Sequence, residues 1–208
     1  WGIGLETAKR TLTSTTQAGI RRVLHPSERR VKTRQNHLRF PTLNTRFYSD
    51  TMFAAEKSLR GNTCAQVFTN GSGYSLFYPL ERKAHAHRAL TKTIQDVGIM
   101  RDLTVDGAGE LNDKKSDWGQ VVKEYRINQR TTEPHSPWQN KAEAEIREVK
   151  KGIRRATRRT GSPYRLWDYC GQWVSAIRQL TAHEIPSLEG RVPAEPIEGS
   201  TPDISEYA

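Results

Sequence analysis

Cys64-Ala-Gln-Val-Phe-Thr-Asn-Gly-Ser-Gly-Tyr-Ser-Leu-Phe-Tyr-Pro-Leu80 carries the reading of the fold. Two short runs rich in Val, Phe and Tyr flank Asn70-Gly71-Ser72-Gly73, residues that accept the positive φ of a tight hairpin turn. Strands over 64–70 and 74–80 follow. Upstream, Arg46-Phe-Tyr-Ser-Asp-Thr-Met-Phe-Ala54 predicts another strand. Downstream, Ala86, Leu90, Ile94 and Val97 fall close to helical spacing, so 84–97 predicts a helix stopped by Gly98. A short strand at 102–106, a helix at 118–125 and a strand at 127–132 come next. Two long helices close the series, 139–160 ended by Gly161-Ser-Pro, and 164–183 with Leu166, Cys170, Trp173, Ile177 and Leu180 on one stripe. The order predicts an α/β layer in which an antiparallel hairpin leads into parallel strands.

Charge divides the chain further. Residues 1–49 hold ten Lys/Arg against two acids, 141–160 hold eight against three, and 161–208 hold three against seven. A near-neutral centre between two basic blocks fits a globular body with polyanion contacts at set places, as nucleic acid requires. Residues 5–18 predict an amphipathic helix, and 21–46, rich in Arg, Pro, Asn and Thr, an extended basic linker. The expected organisation is a basic helix and linker over 1–43, a folded body over 44–183 and an irregular Pro-rich tail over 184–208. No run approaches the roughly 18 apolar residues of a membrane span. Cys64 and Cys170 cannot make a disulfide framework or a four-thiolate zinc site, and His25 and His37 lack following paired cysteines, so no zinc site is expected. Opening at Trp1 inside a helical pattern, the chain reads as part of a longer polypeptide.

Three acids stand apart from this scheme. Asp50 sits inside a predicted strand, where a charge is costly unless a cation compensates it. Asp106 ends another strand, before Gly107-Ala-Gly109. The third lies on the 139–160 helix. At about 100° per residue, with Ile146 at 0°, the residues Ala142, Val149, Ile153 and Ala156 form the core stripe. Lys150 then lies near about 40°, Glu143 near about 60°, Arg154 near about 80°, Arg147 near about 100° and Arg158 near about 120°. Glu145 lies about 160° from Glu143, so the two cannot serve one site. Asp50, Asp106 and Glu143 together could hold divalent metal through oxygen ligands, as phosphoryl transfer needs, with the cations of the Glu143 face on phosphates beside it.

Tyr48-Ser-Asp-Thr-Met-Phe53, Val105-Asp-Gly-Ala-Gly-Glu110 and Pro134-His-Ser-Pro-Trp-Gln-Asn-Lys-Ala-Glu-Ala-Glu-Ile-Arg-Glu148 resemble the three catalytic segments of integrases of copia-type long-terminal-repeat retrotransposons. More distantly they resemble retroviral integrases. Fifty-five residues separate Asp50 from Asp106 and thirty-six separate Asp106 from Glu143, close to the family's DDE spacing. The segment from Val192 to Tyr207 is similar to the stretch that follows the core in copia-type polyproteins. The resemblance implies an RNase H-like fold with a five-stranded mixed sheet flanked by helices. It implies a DDE-type polynucleotidyl transferase that uses Mg²⁺ or Mn²⁺, held by Asp50, Asp106 and Glu143, to process element DNA ends and join them to target DNA. Arg147 and Lys150 take the places of DNA-contacting residues; Arg154, Lys141 and Arg158 complete the nucleic-acid-binding candidates. A homo-oligomer working in the nucleus, or in a cytoplasmic virus-like particle before import, goes with that family. The chain departs from the pattern at Gly107 (family Asn), at Lys141 (family Gly) and in the interval Pro137–Glu143, one residue short. Two other readings compete: a catalytically inactive nucleic-acid-binding remnant, and a scaffold that assembles through the Trp173 stripe.

Overall fold

The computed structural model describes residues 2–17, 41–106, 111, 115–133 and 140–205. Its elements run α1 (Leu5–Ser14), β1 (Thr42–Leu43), β2 (Phe47–Phe53), β3 (Cys64–Thr69), β4 (Ser75–Leu80), α2 (Ala86–Asp96), β5 (Ile99–Met100), β6 (Asp102–Val105), α3 (Asp117–Glu124), β7 (Asn128–Thr131), α4 (Lys141–Thr160), α5 (Trp167–Leu180) and α6 (Glu195–Glu198). The main sheet has five strands in the order β4-β3-β2-β6-β7. β2, β3 and β4 pair antiparallel, whereas β2–β6 and β6–β7 are parallel. The anticipated hairpin turns through Gly71 at φ 74° and Gly73 at φ 84°, the left-handed values that make glycine the residue of choice there. β1 and β5 form a separate parallel pair. At two residues each they are too short for any sequence period to announce. Most of the predicted basic linker lies outside the described residues.

β3 is buried on both faces along its whole length, as expected of an interior strand. On one side Phe47, Phe68 and Leu80 pack with Leu90 and Ile94 of α2 and Trp118 of α3. On the other, Met52, Ala65, Val67 and Phe77 pack with Ile146, Val149 and Ile153 of α4 and Trp167 of α5. Helices thus cover both faces of the sheet. β4 is an edge strand and contains Pro79, which an interior strand would not accommodate.

The stripe predicted for α5 is out of phase with the one observed. Trp167, Gly171, Val174 and Ile177 are buried, while Trp173 is 42% exposed. Small residues set this rotation. A Cβ on Gly171 would lie 2.5 Å from ring atoms of Phe77, and a Cβ on Gly152 of α4 would lie 2.4 Å from Val174. In an ordinary helix interior Gly→Ala stabilises by about 1 kcal/mol. Here the clash wins, and Gly171→Ala is expected to destabilise the fold by about 1–3 kcal/mol. Chemical denaturation checks the sign: a raised midpoint would mean that α5 is free to move off Phe77.

α1 forms where its pattern predicts a helix, but the side it buries carries hydroxyls, Thr11 and the following Thr15, while Leu5 and Leu12 are 70% and 53% exposed; its partner is the segment after α5. Thr11 Oγ1 accepts from the Ala182 amide at 3.0 Å, Ser14 Oγ donates to the Gly190 carbonyl at 2.8 Å, and Thr16 exchanges backbone hydrogen bonds with Pro202 and Ile204. That segment contains only short helical turns, yet it buries Leu188, Val192, Ala194 and Ile204. No described helix is long and apolar enough to cross a membrane.

Candidate active site

Parallel pairing of β2 with β6 places Ser49 opposite Val105. The next residue on each strand is an aspartate, so Asp50 and Asp106 emerge side by side at the centre of the sheet. Strand alternation puts Asp50 on the same face as Met52, which packs under α4. Asp106 follows the last residue of β6 and accepts from Thr132 Oγ1 at 3.4 Å.

Asn140 brings the third acid in. It is 4% exposed, and its side-chain oxygen accepts from the Ala142 amide at 3.0 Å, capping α4. Its Nδ2 donates to the Ser49 carbonyl at 3.5 Å. One side chain therefore starts the helix and ties that start to the strand residue before Asp50. Glu143, exposed in the first turn of α4, lies where the positive end of the helix dipole favours a carboxylate. The sequence signal for Asn140 was present: Asn followed three residues later by Glu is an N-terminal capping pattern. Starting the helix at 139 hid it.

Asp50 senses the other two acids. Burial raises the Asp50 carboxyl above the usual carboxylate range, and the facing charges of Asp106 and Glu143 raise it further, against the Thr51 amide and Lys83, which lower it. The Thr51 amide donates to Asp50 Oδ1 at 2.7 Å. On the opposite face of β2 a buried polar chain fixes the strand. Thr51 Oγ1 donates to Gln66 Oε1 at 2.8 Å, Gln66 Nε2 to Ser49 Oγ at 2.7 Å, and Ser49 Oγ to the Val67 carbonyl at 3.0 Å. Both residues flanking Asp50 are held this way. No short-range sequence pattern marks Gln66 as their partner, because the bond crosses strands.

Glu145 points away from Glu143, as the helical wheel requires. It is buried and paired in fork geometry with Arg178 of α5, at 2.7 and 3.0 Å. Arg147, Lys150, Arg154 and Arg158 are all exposed along α4. Lys141, also exposed, lies at Tyr48, two residues before Asp50 on the same strand. Its ammonium sits 5.6 Å from the centre of the Tyr48 ring, and its stem fills the space that a side chain on Gly71 would need. His85, His87 and His183 are half-buried, and His183 bonds the Arg178 carbonyl at 3.0 Å. The residues 107–110 and 134–139, which flank two of the acids, lie outside the described residues.

An all-oxygen donor set whose charges oppose one another suits a hard divalent cation such as Mg²⁺ or Mn²⁺. Asp50, Asp106 and Glu143 fit that description chemically. Among the described residues, no three carboxylate, imidazole or thiol groups are gathered closely enough to form a ready-made metal cage.

The sequence matches no protein-family model and no curated protein. The fold has solved counterparts. The structure is similar to the HTLV-2 integrase catalytic core domain, solved in complex with magnesium in a trimeric form, with a TM-score of 0.56 and 15% identity over 76% of this chain and 99% of that one. It is also similar to the catalytic core domain of BIV integrase, with a TM-score of 0.54 and 14% identity over 74% of this chain and 93% of that one. Five mixed strands in this order, with helices on both faces, give the chain the RNase H-like fold of retroviral integrase catalytic cores.

Proposed function

We propose that this chain is the catalytic core of a retrotransposon integrase of copia type, a DDE polynucleotidyl transferase that trims element DNA ends and joins them to target DNA. One observation carries the reading: the β2–β6 register sets Asp50 beside Asp106, and the charge of Glu143 is felt at Asp50. Asp50, Asp106 and Glu143 are the metal ligands, and the HTLV-2 core solved with magnesium supports Mg²⁺ as the natural ion. Bound divalent ions supply activation of water or a 3′-hydroxyl and stabilise the leaving oxygen of an in-line displacement. The remaining work belongs to the protein. Asn140 holds Glu143 to the sheet, the Ser49–Gln66–Thr51 chain holds Asp50 in register, and Arg147, Lys150, Arg154 and Arg158 grip phosphates next to the acids. A homo-oligomer acting in the nucleus, or in a cytoplasmic virus-like particle before import, belongs to the same proposal.

DNA contact along α4 has its own test. Lys150→Ala is expected to weaken binding of a DNA duplex and to lower the salt-dependence slope by about one unit. A slope identical to that of the parent protein would move the phosphate path off this face.

A second reading, a nucleic-acid-binding remnant without chemistry, draws on two observations. The described residues hold no ready-made metal cage. Glu143 also sits at the third helical position after the Asn140 cap, where a glutamate serves helix capping well. Strand transfer assayed with Mg²⁺ and with Mn²⁺ decides between the two. Turnover that depends on Asp50 belongs to the enzyme; DNA binding without turnover under either ion belongs to the remnant.

A further inference from the structure

α4 carries a second pair of cations that the chemistry above does not use. Arg155 and Arg159 are exposed, and helical geometry puts them about 100° or more away from the Glu143 face. They stand beside a cavity of about 140 Å³ between α4, α5 and the start of the chain, whose walls include Ile3, Ala156, Trp173, Val174 and Ile177. Both arginines also lie against the backbone of Gly2. The acid on this wall, Glu148, is neutralised by Lys151 at 2.7 Å.

Size and lining decide what such a cavity takes. Sites for cofactors and drug-sized ligands run to about 300–1,000 Å³. A cavity of about 150 Å³ holds one benzene ring. The space at Trp173 therefore suits a single aromatic or branched side chain. A nucleobase is a poor occupant: Ala156, Val174 and Ile177 offer its polar edges no partners, and the polar groups deeper in the lining are engaged, Arg178 with Glu145, Thr181 with the Ile177 carbonyl and His183 with the Arg178 carbonyl, so an unpaired edge costs more than stacking on Trp173 returns. The two arginines meanwhile call for negative charge next to that apolar group. We infer that this face of α4 and α5 is a docking site for an acidic peptide segment of a partner protein, one apolar side chain entering the cavity and flanking carboxylates meeting Arg155 and Arg159.

The test uses the full chain and fluorescence anisotropy of a labelled Asp/Glu-rich peptide with one central Phe. One buried ring and two exposed charge pairs give an expected Kd on the order of 100 µM. Changing the Phe to Ser in the peptide, filling the cavity with Ala156→Leu, or reversing charge with Arg155→Glu/Arg159→Glu should each weaken binding by about tenfold. The charge-reversed variant alters exposed groups only; two acids near the C-terminal end of α4 should lower its melting temperature by no more than a few degrees, so a cooperative melt in that range shows that loss of binding is not a folding failure. The site is overturned if the Ser peptide binds as well as the Phe peptide, or if the charge reversal leaves affinity unchanged. Displacement of the peptide by oligothymidylate, with the same arginines required, overturns it too and makes the face a nucleic-acid surface.

Discussion

Asp50→Asn is expected to lower Mg²⁺-dependent strand transfer by about a thousandfold or more, because removing one ligand charge from a metal-assisted displacement costs several kcal/mol of transition-state stabilisation. The same change should leave the fold as stable as before, or more so. Burial and the charges of Asp106 and Glu143 raise the Asp50 carboxyl, so the folded state disfavours its ionised form. The sign follows from proton linkage: the group binds protons more tightly folded than unfolded, so stability declines as pH rises from the unfolded value through the raised one. Its relative contribution is fully present below the model-peptide value of 3.8 and lost above the raised one. A neutral Asn removes that penalty. Paired assays of transfer and of thermal melting read both effects on one preparation. Undiminished transfer by the Asn variant sinks the enzyme reading, and a large drop in melting temperature would show that Asp50 is a structural residue.

Arg178→Ala is the larger stability experiment. Its guanidinium pairs in fork geometry with Glu145, whose side chain is 7% exposed. Removing one partner of a buried pair leaves an uncompensated charge and costs about 3–5 kcal/mol. Arg178 is itself 21% exposed, so water can reach the orphaned carboxylate and the lower end of that range is expected. Replacing both residues by Leu should recover most of the loss, since a well-packed apolar pair often equals a buried ion pair. Urea denaturation of the two single variants and the double variant measures the coupling. If the double variant is no better than Arg178→Ala, the Glu145 charge is not what makes the single change expensive. The pair also joins α4 to α5, which explains why α4 can present an unbroken cationic face toward the acids while one of its own glutamates points inward.

Much of this architecture was legible from local signals. Asn70-Gly71 between two β-rich runs specified the hairpin, and periodicity specified α2 and α4. The wheel on α4 also separated Glu143 from Glu145 correctly. What escaped was non-local. The placement of Asp50 beside Asp106 depends on the register of two strands more than fifty residues apart, and no window of sequence contains it. Gln66 reads as an unremarkable polar residue in a strand until β2 is laid beside β3. The phase of α5 is invisible to a stripe of large apolar residues, because glycine sets it. Close approach to Phe77 and to α4 is decided by Gly171 and Gly152, which contribute nothing to a hydrophobic pattern. The packing of α1 against the segment after α5 likewise joins residues about 170 positions apart, and it runs through Thr11 and Ser14 while Leu5 and Leu12 stay exposed, so the apolar residues of α1 announce neither its buried side nor its partner.

Pro79 in β4 bears on how copies of this molecule can associate. That border of the sheet has a backbone position unable to donate, and the opposite border is the four-residue β7. Neither offers a long template on which a neighbouring chain could continue the ladder. Growth of the sheet from one copy into the next is therefore disfavoured at both borders, which leaves fibrous stacking without a starting point there.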